Sequence, residues 1–220
     1  EEVEAFNDAR WQVKAYFAEE PPPALVAQLQ ARLQSAAKFE PSVEKLPVED
    51  WLTMSQQGLQ PVHAGRFYVH TSTNKGALPA GAVPFKIEAS QAFGTGGHET
   101  TSGCLAMLDA MRREGQRFDH VIDIGTGTGL LAFAARHLWP RAYVTASDID
   151  PVSIEVTAGN AADNGVPLGQ SMGRIALCAA TGTDHEMIQR RAPYDLIIAN
   201  ILAGPLIELA LSFAEIAREG

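Results

Sequence analysis

The sequence is poor in cysteine, which excludes several classes of protein. Its 220 residues include two cysteines, Cys104 and Cys178, which lie far apart and lack the spacing of metal ligands. A disulfide-stapled secreted domain and a cysteine-ligated zinc module are therefore excluded. We expect both thiols to be small core residues of a reduced, cytoplasmic protein. His98 has no evident His or Cys partner either, so we expect no metal site.

Long apolar runs are missing as well. No segment approaches the roughly 20 uninterrupted apolar residues of a membrane-spanning helix, so we expect no association with a membrane. Residues 1–4 are acidic and polar, which is unlike the start of a signal peptide. The length and the 46% hydrophobic content suit one globular domain with a smaller piece attached.

The third missing feature is a basic stripe. The formal net charge is -9, made of -5 over residues 1–60, +2 over 61–118 and -6 over 119–220. Proteins that bind nucleic acids displace counterions from phosphates with clustered Lys and Arg side chains. The charge therefore argues against direct nucleic-acid binding and favours a basic protein as the partner. The alternative is that the acidic balance only maintains solubility.

The first 60 residues predict part of a small α+β domain. Strand patterns at 11–17 and 43–48 flank helix-spaced leucines at 24–37, and the prolines before these leucines suit the first turn of a helix. Two strands and one helix make half of such a module, so we expect the chain to begin inside it. The predicted division is a partial N-terminal domain at 1–48, a linker helix at 49–60 and a larger domain at 61–220.

The larger domain predicts an α/β fold. Candidate strands at 62–70 and 83–89 and a helix at 101–112 precede a regular alternation. The alternation consists of strands at 121–124, 143–147, 174–178 and 196–199 and helices at 130–138, 151–164, 184–190 and 206–217. Such repeats predict a doubly wound, mostly parallel sheet with helices on both faces. A further strand should follow residue 220, so we expect the chain to be truncated at both ends.

The strongest motif is glycine-rich, D-I-G-T-G-T-G at residues 123–129, and it lies between a predicted strand and a predicted helix. A dinucleotide site would need the spacing G-x-G-x-x-G, and Leu130 occupies the position of the last glycine. The motif therefore favours a smaller nucleoside ligand without a pyrophosphate. The alternative is a glycine turn without a ligand. The candidate ligand-binding residues of the motif are Asp123, Gly125, Gly127 and Gly129.

Two acidic residues follow the next predicted strand. Asp148 lies about twenty residues beyond the glycine motif, where a carboxylate can accept hydrogen bonds from both hydroxyls of a ribose. Asp150 directly precedes Pro151 and fits the N-cap of a helix. We therefore expect Asp148 to bind the ligand and Asp150 to stabilise the helix. The alternative for Asp148 is a solvated loop acid.

Two further segments carry candidate site residues. Asn200 ends the fourth strand of the alternation, at the edge where open α/β sheets bind ligands, and its neutral amide can accept a hydrogen bond from an amine. The glycine-rich segment 93–101 precedes a predicted helix that Thr100 or Thr101 can cap, and the free N–H groups there can hold a carboxylate. The alternatives are a turn asparagine and a flexible loop with a capping threonine.

Taken together, these segments resemble the PrmA family, the bacterial methyltransferases of ribosomal large-subunit protein eleven. The segments that carry the resemblance are 51–70, 93–101, 123–129, 148–151 and 200–206. The glycine motif is shared by many methyltransferases, whereas F-G-T-G at 93–96 together with N-I-L-A at 200–203 is far more specific. Gly97 and Glu99 depart from the residues that are common in the family.

The resemblance implies a class I, Rossmann-like methyltransferase that uses S-adenosyl-L-methionine. It implies that Thr101, Gly125, Asp148 and Asn200 contact this cofactor. It further implies methylation of lysine and N-terminal amines on a basic ribosomal protein, which the small N-terminal domain holds. The same fold could instead act on another protein, an RNA or a small molecule, or the chain could be an inactive cofactor-binding fragment.

The implied chemistry is direct attack of a neutral amine on the sulfonium methyl group. A lysine has a pKa near ~10.4, so deprotonation at pH 7 costs roughly 4–5 kcal/mol, and desolvation can lower that pKa. Alignment of the nitrogen with the methyl group can contribute ~7–11 kcal/mol. Positioning therefore outweighs general-base catalysis, and Asn200 is the predicted catalytic residue.

Overall fold

The computed structural model describes residues 21–33, 42–43, 60–88 and 99–218. The chain divides into two compact units, Glu1–Glu49 and Asp50–Gly220. The strand predicted at 11–17, nearly all of the strand at 43–48 and the linker helix lie outside the described residues. Most of the glycine-rich segment 93–101 does so as well.

The first unit contains helix α1, Pro23–Leu33. Pro23 is the first helical residue, a position where the missing N–H of proline is harmless. The helix was predicted at 24–37, and residues 34–37 lie outside the described part of the chain.

The second unit begins with a three-stranded sheet in the order β1-β2-β3. Its strands are β1 Val62–Ala64, β2 Phe67–His70 and β3 Val83–Lys86. Strand β1 pairs antiparallel with β2, and β2 pairs parallel with β3. The prediction of one strand over 62–70 is therefore wrong, because the chain reverses at Gly65 and Arg66. The strand predicted at 83–89 also ends earlier, at Lys86.

The larger sheet has four parallel strands in the order β6-β5-β4-β7. They are β4 His120–Ile124, β5 Tyr143–Asp148, β6 Ile175–Ala179 and β7 Leu196–Ile198. The accompanying helices are α2 Glu99–Arg113, α3 Leu130–Leu138, α4 Pro151–Asp163, α5 Glu186–Arg191, α6 Ala203–Glu208 and α7 Ala210–Ile216. The predicted alternation is confirmed, with boundary shifts of a few residues.

The helix predicted at 206–217 differs from the observed structure. The chain turns helical earlier, at Ala203, and the regular helix is interrupted at Leu209. The backbone of Leu209 has ψ of -3°, well away from the α-helical value. A Cβ atom on Gly182 would meet the Leu209 side chain, so this leucine lies directly against the loop after β6.

The order of the four strands makes the sheet doubly wound. The chain runs from β4 through β5 to β6 and then returns to place β7 on the other side of β4. Neighbouring residues of β4 point to opposite faces: Val121 belongs to one buried apolar cluster and Ile122 to the other. The sheet is therefore covered on both faces, as predicted. The strand order reverses between β4 and β7, and ligands of such folds bind outside the carboxyl ends of the strands there.

Within the described parts of the chain, no helix is both long and apolar enough to cross a membrane.

Candidate functional site

The glycine-rich segment forms a tight loop between β4 and α3. Gly125, Gly127 and Gly129 have φ values of 72°, 56° and 85°, in the left-handed region. The N–H groups of Gly125 and Thr126 donate to the Ser147 carbonyl, at 2.8 and 2.9 Å, which ties the loop to β5. A Cβ atom on Gly125 would overlap the Cγ2 methyl group of Ile201. The loop therefore requires glycine both for its backbone conformation and for its contact with the chain after β7.

Asp123, at the end of β4, is buried beneath this loop with an exposed fraction of 1%. Its Oδ2 accepts hydrogen bonds from the Thr126 hydroxyl at 2.7 Å and the Ala132 N–H at 3.1 Å. Its Oδ1 has no hydrogen-bond partner among the described residues. Burial raises the pKa of Asp123 to about 6, although both hydrogen bonds act in the opposite direction. When ionised, this carboxylate places a negative charge beneath the loop, which suits a positively charged ligand.

Asp148 contacts the same loop from the end of β5. Its Oδ2 accepts a hydrogen bond from the Gly127 N–H at 2.9 Å, and its Oδ1 accepts one from the Asp150 N–H at 3.0 Å. A carboxylate offers about four acceptor sites, so two hydrogen bonds leave capacity for the hydroxyls of a ligand. Binding of a ribose by Asp148 remains a prediction. The structure assigns this carboxylate a further role, because it also holds the loop.

Asp150 has the structural role that the sequence predicted. It is the N-cap of α4, its side chain accepts a hydrogen bond from the Val152 N–H at 2.9 Å, and a proline opens the helix. This arrangement satisfies one of the donors that a helix start leaves unpaired. The predicted helix-capping role of Asp150 is therefore confirmed.

Helix α4 contributes two loop contacts that sequence reasoning missed. The Thr157 hydroxyl donates to the Gly127 carbonyl, and the Asn160 amide donates to the Thr128 carbonyl, both at 2.9 Å. Both side chains are buried. They lie three residues apart and therefore on one face of the helix. Polar residues at that spacing on a helix predicted to cover a sheet are the signal that could have revealed them.

Asn200 and Thr101 are in contact although they lie 99 positions apart in sequence. The Asn200 Nδ2 donates to the Thr101 Oγ1 at 2.9 Å, and Thr101 is almost fully buried. The amide nitrogen is therefore engaged, and the amide oxygen is the atom that can accept a hydrogen bond from a substrate. The predicted capping role of Thr100 or Thr101 is wrong, because α2 begins at Glu99 and both threonines lie inside its first turn.

The structure thus gathers most of the predicted site residues at one edge of the larger sheet. The glycine loop follows β4, Asp148 ends β5, and Asn200 follows β7, where the strand order reverses. Thr101 joins them from the start of α2 through its hydrogen bond with Asn200. Among the described residues, no group of three or more His, Cys, Asp or Glu side chains could hold a metal ion. Both cysteines are free thiols, and neither belongs to the glycine loop.

An open depression of about 370 Å³ lies elsewhere on the second unit, and no predicted site residue lines it. Asp109 on α2 lies in this depression and forms ion pairs with Arg66 and Arg113. Arg66 belongs to the turn between β1 and β2, so the ion pair fastens this turn to α2. We interpret the depression as part of the packing between the smaller sheet and α2 rather than as a reaction site.

Comparison with known proteins agrees with this geometry. The family model for ribosomal protein L11 methyltransferase (PrmA) matches residues 1–220. The ribosomal protein L11 methyltransferase of Brucella abortus (strain S19) is 44% identical over 172 residues, which cover 78% of this chain and 58% of that protein. Its counterpart from Chelativorans sp. (strain BNC1) is 46% identical over 180 residues, covering 81% and 59% respectively. The chain therefore spans less than two thirds of the length of these relatives.

A solved structure supports the same relationship. The crystal structure of the ribosomal protein L11 methylase from Lactobacillus delbrueckii subsp. bulgaricus is 29% identical to this chain. It superposes with a TM-score of 0.57 over 73% of this chain and 76% of that one. The family model thus matches all 220 residues of a chain whose doubly wound sheet has the glycine loop and Asn200 where its strand order reverses. The chain belongs to the PrmA family of ribosomal protein L11 methyltransferases.

Proposed function

We propose that the protein transfers a methyl group from S-adenosyl-L-methionine to lysine and N-terminal amines of ribosomal protein L11. The main support is the hydrogen bond between Asn200 and Thr101 beside the glycine loop, where the strand order of the sheet reverses. Family membership supports both the reaction class and the ribosomal substrate. The neutral amide of Asn200, next to a loop that suits a nucleoside ligand, is compatible with an amine as the methyl acceptor.

The residues of the loop fit this cofactor on physical grounds. A Cβ atom at Gly125 or Gly129 would collide with packed side chains of the protein, so these glycines fix the tight conformation of the loop. Asp148 has acceptor capacity for ribose hydroxyls, and the buried Asp123 carries an oxygen that no described residue pairs with. When bound, S-adenosyl-L-methionine supplies a methyl group activated by a positively charged sulfur. Two carboxylates at the loop suit such a positively charged molecule.

Asn200 is proposed to hold the attacking amine in its neutral form. Its amide oxygen accepts a hydrogen bond from the amine, while its amide nitrogen is fixed by the Thr101 hydroxyl. A carboxylate at the same position would raise the pKa of a lysine, and the ammonium form has no lone pair with which to attack. The protein therefore contributes by aligning the amine with the methyl group and by not stabilising the ammonium form. It does not need a base that removes the proton.

The substrate is proposed to be a basic ribosomal protein rather than a nucleic acid. The net charge of -9 suits a basic partner. Residues 1–48 are proposed to recognise that partner and residues 49–60 to link them to the catalytic domain at 61–220. A ribosomal substrate places the proposed reaction in the cytoplasm, where thiols such as Cys104 and Cys178 stay reduced.

The proposed function is tested by incubating the purified protein with methyl-labelled S-adenosyl-L-methionine and ribosomal protein L11. We expect label in lysine and N-terminal peptides of the ribosomal protein, located by mass spectrometry. Ribosomal RNA and an unrelated basic protein are the matched control acceptors. Label in the RNA alone would favour a same-fold RNA methyltransferase. Cofactor binding without any label would favour a binding fragment.

The two aspartates after β5 are expected to respond differently to removal. Asp148→Ala should weaken binding of S-adenosylhomocysteine by about 1.5–3 kcal/mol, roughly 10- to 100-fold, because a charged acceptor is lost. Asp150→Ala should instead lower the free energy of unfolding by about 1 kcal/mol through loss of the helix cap, with little change in affinity. Calorimetry and denaturant unfolding measure the two effects, and the reverse pattern would contradict the assignment.

Cofactor affinity is expected to depend on the ionisation of Asp123. Burial raises the pKa of this carboxyl to about 6, with a smaller contribution from the charge of Asp148. A positively charged cofactor favours the ionised form, so the affinity should be highest above pH 6 and fall by up to about tenfold per pH unit below it. Titration calorimetry with S-adenosyl-L-methionine between pH 5 and pH 7 measures this slope. Asp123→Asn should flatten the profile, and a flat profile in the unsubstituted protein would refute the expectation.

A further inference from the structure

Three polar side chains lie along one face of helix α4 and its C-cap, at residues 157, 160 and 164. Thr157 and Asn160 donate to the carbonyls of Gly127 and Thr128 in the glycine loop, each at 2.9 Å. Asn164 makes a different contact, because its side chain accepts from the Lys86 N–H and donates to the Lys86 carbonyl, both at 2.8 Å. One helix face therefore holds two separate backbone segments.

The first two contacts act on the part of the loop with left-handed backbone conformation. Gly127 has φ of 56°, its N–H is held by Asp148 at 2.9 Å, and its carbonyl is held by Thr157. Both peptide groups that flank its α-carbon are thus fixed by side chains from different elements. Because a trans peptide is planar, a carbonyl turned towards α4 directs the next N–H away from the helix. The orientation of the Gly127–Thr128 peptide is therefore set by Thr157.

Burial makes these two hydrogen bonds hard for water to replace. Thr157 is fully buried and Asn160 has an exposed fraction of 6%, so water cannot easily replace either donor. A Cβ atom added to Gly129 would come within 2.7 Å of the Thr157 methyl group, so the same side chain also packs against the loop at Gly129. Loss of the hydroxyl would leave a buried carbonyl without this donor and release the peptide next to Gly127.

We propose that Thr157 and Asn160 are positioning residues for the cofactor: they act through the Gly127 and Thr128 carbonyls and fix the loop in its binding conformation. This inference rests on the proposed function, since it takes the glycine loop to be the cofactor site. Preorganisation of the loop is the physical basis, because a loop that is already ordered loses less conformational entropy when a ligand binds. Cofactor affinity therefore depends on side chains of α4 that are buried behind the loop.

The test compares variants that differ in one donor. Thr157→Val removes the hydroxyl at nearly constant shape, whereas Thr157→Ser keeps it. We expect calorimetry with S-adenosylhomocysteine to show at least tenfold weaker binding for Thr157→Val and Asn160→Ala. Thr157→Ser should stay within about threefold of the unsubstituted protein. Hydrogen exchange should accelerate at the backbone amides of residues 127–131 in Thr157→Val and not in Thr157→Ser.

Asn164→Ala is the matched control, because it removes half-buried contacts with the Lys86 backbone and the Asn160 carbonyl without touching the glycine loop. It should lower the melting temperature and leave the affinity within about threefold. Equal affinity of Thr157→Val and the unsubstituted protein would overturn the inference, as would an equal loss of affinity in Asn164→Ala. If Thr157→Val does not fold, the affinity of Asn160→Ala, compared with that of the unsubstituted protein, decides between these outcomes. Failure of the unsubstituted protein to bind would instead contradict the proposed function.

Discussion

Gly125→Ala is expected to weaken the binding of S-adenosylhomocysteine at least thirtyfold. An alanine at φ of 72° is strained by about 1–2 kcal/mol. Its Cβ would also overlap the Ile201 Cγ2 methyl group, and displacement of a packed side chain adds about 1–3 kcal/mol. Together these effects cost at least about 2 kcal/mol in the present loop conformation, and the variant can relieve them by shifting the loop. A ligand that needs the present conformation must restore it at that cost, which corresponds to roughly thirtyfold in affinity. Titration calorimetry measures the loss directly.

Gly115→Ala is the control for the strain alone. Gly115 has φ of 85°, and a Cβ atom there would meet nothing within 4 Å. This variant should lose stability through the same backbone strain while keeping cofactor affinity. If Gly125→Ala lost stability but not affinity, like the control, the loop would be a structural turn and the cofactor would bind elsewhere.

Asn200→Ala is expected to lose about 100-fold in turnover while retaining most of the cofactor affinity. The amide oxygen is the proposed acceptor for the amine, and misplacement of a reacting group by about 1 Å can cost roughly 10²-fold in rate. Since the interaction should matter mainly in the transition state, kcat and kcat/KM should fall together. Single-turnover methylation of ribosomal protein L11, followed by mass spectrometry, measures the rate, and calorimetry measures the affinity.

Asn200→Asp separates charge from shape at the same position. The carboxylate can still accept a hydrogen bond from an amine, but it stabilises the ammonium form and should raise the pKa of the substrate lysine. We therefore expect a slow variant whose rate recovers in part as the pH rises. The Thr101 hydroxyl, which now accepts from the Asn200 amide, could still donate to the carboxylate. Near-normal rates in both variants would mean that Asn200 is only a turn residue.

Local patterns in the sequence predicted the order of strands and helices in the second half of the fold. Helix α3 has the predicted bounds, because the glycine motif ends directly before it and an apolar run fills it to Leu138. The cap of α4 was predicted from Asp150 and Pro151 alone, since capping depends on a side chain reaching the backbone two or three residues later. The parallel sheet followed from regular alternation, which allows few topologies.

The errors arose where distant residues determine the local conformation. The turn within 62–70 separates two strands of similar composition, and Arg66 in that turn pairs with Asp109 on α2. The interruption at Leu209 lies where its side chain packs against the loop after β6. The first turn of α2 contains Thr101, whose hydroxyl receives a hydrogen bond from a residue 99 positions away. Periodicity within a short window carries no information about such contacts.

The sequence by itself indicated the four-strand alternation and the polar or glycine residues at or just after its strand ends, Gly125, Asp148 and Asn200. Strand–helix alternation and glycine spacing are local properties of the chain. Only the tertiary structure decided how these residues act together. It showed that Asp148 holds the Gly127 N–H and that Thr157 holds the carbonyl of the same glycine. It also joined the amide nitrogen of Asn200 to the Thr101 hydroxyl. The physical reason is that hydrogen bonds depend on distance and direction between atoms, which the packing of β5, α2 and α4 around β4 sets and the order of residues does not.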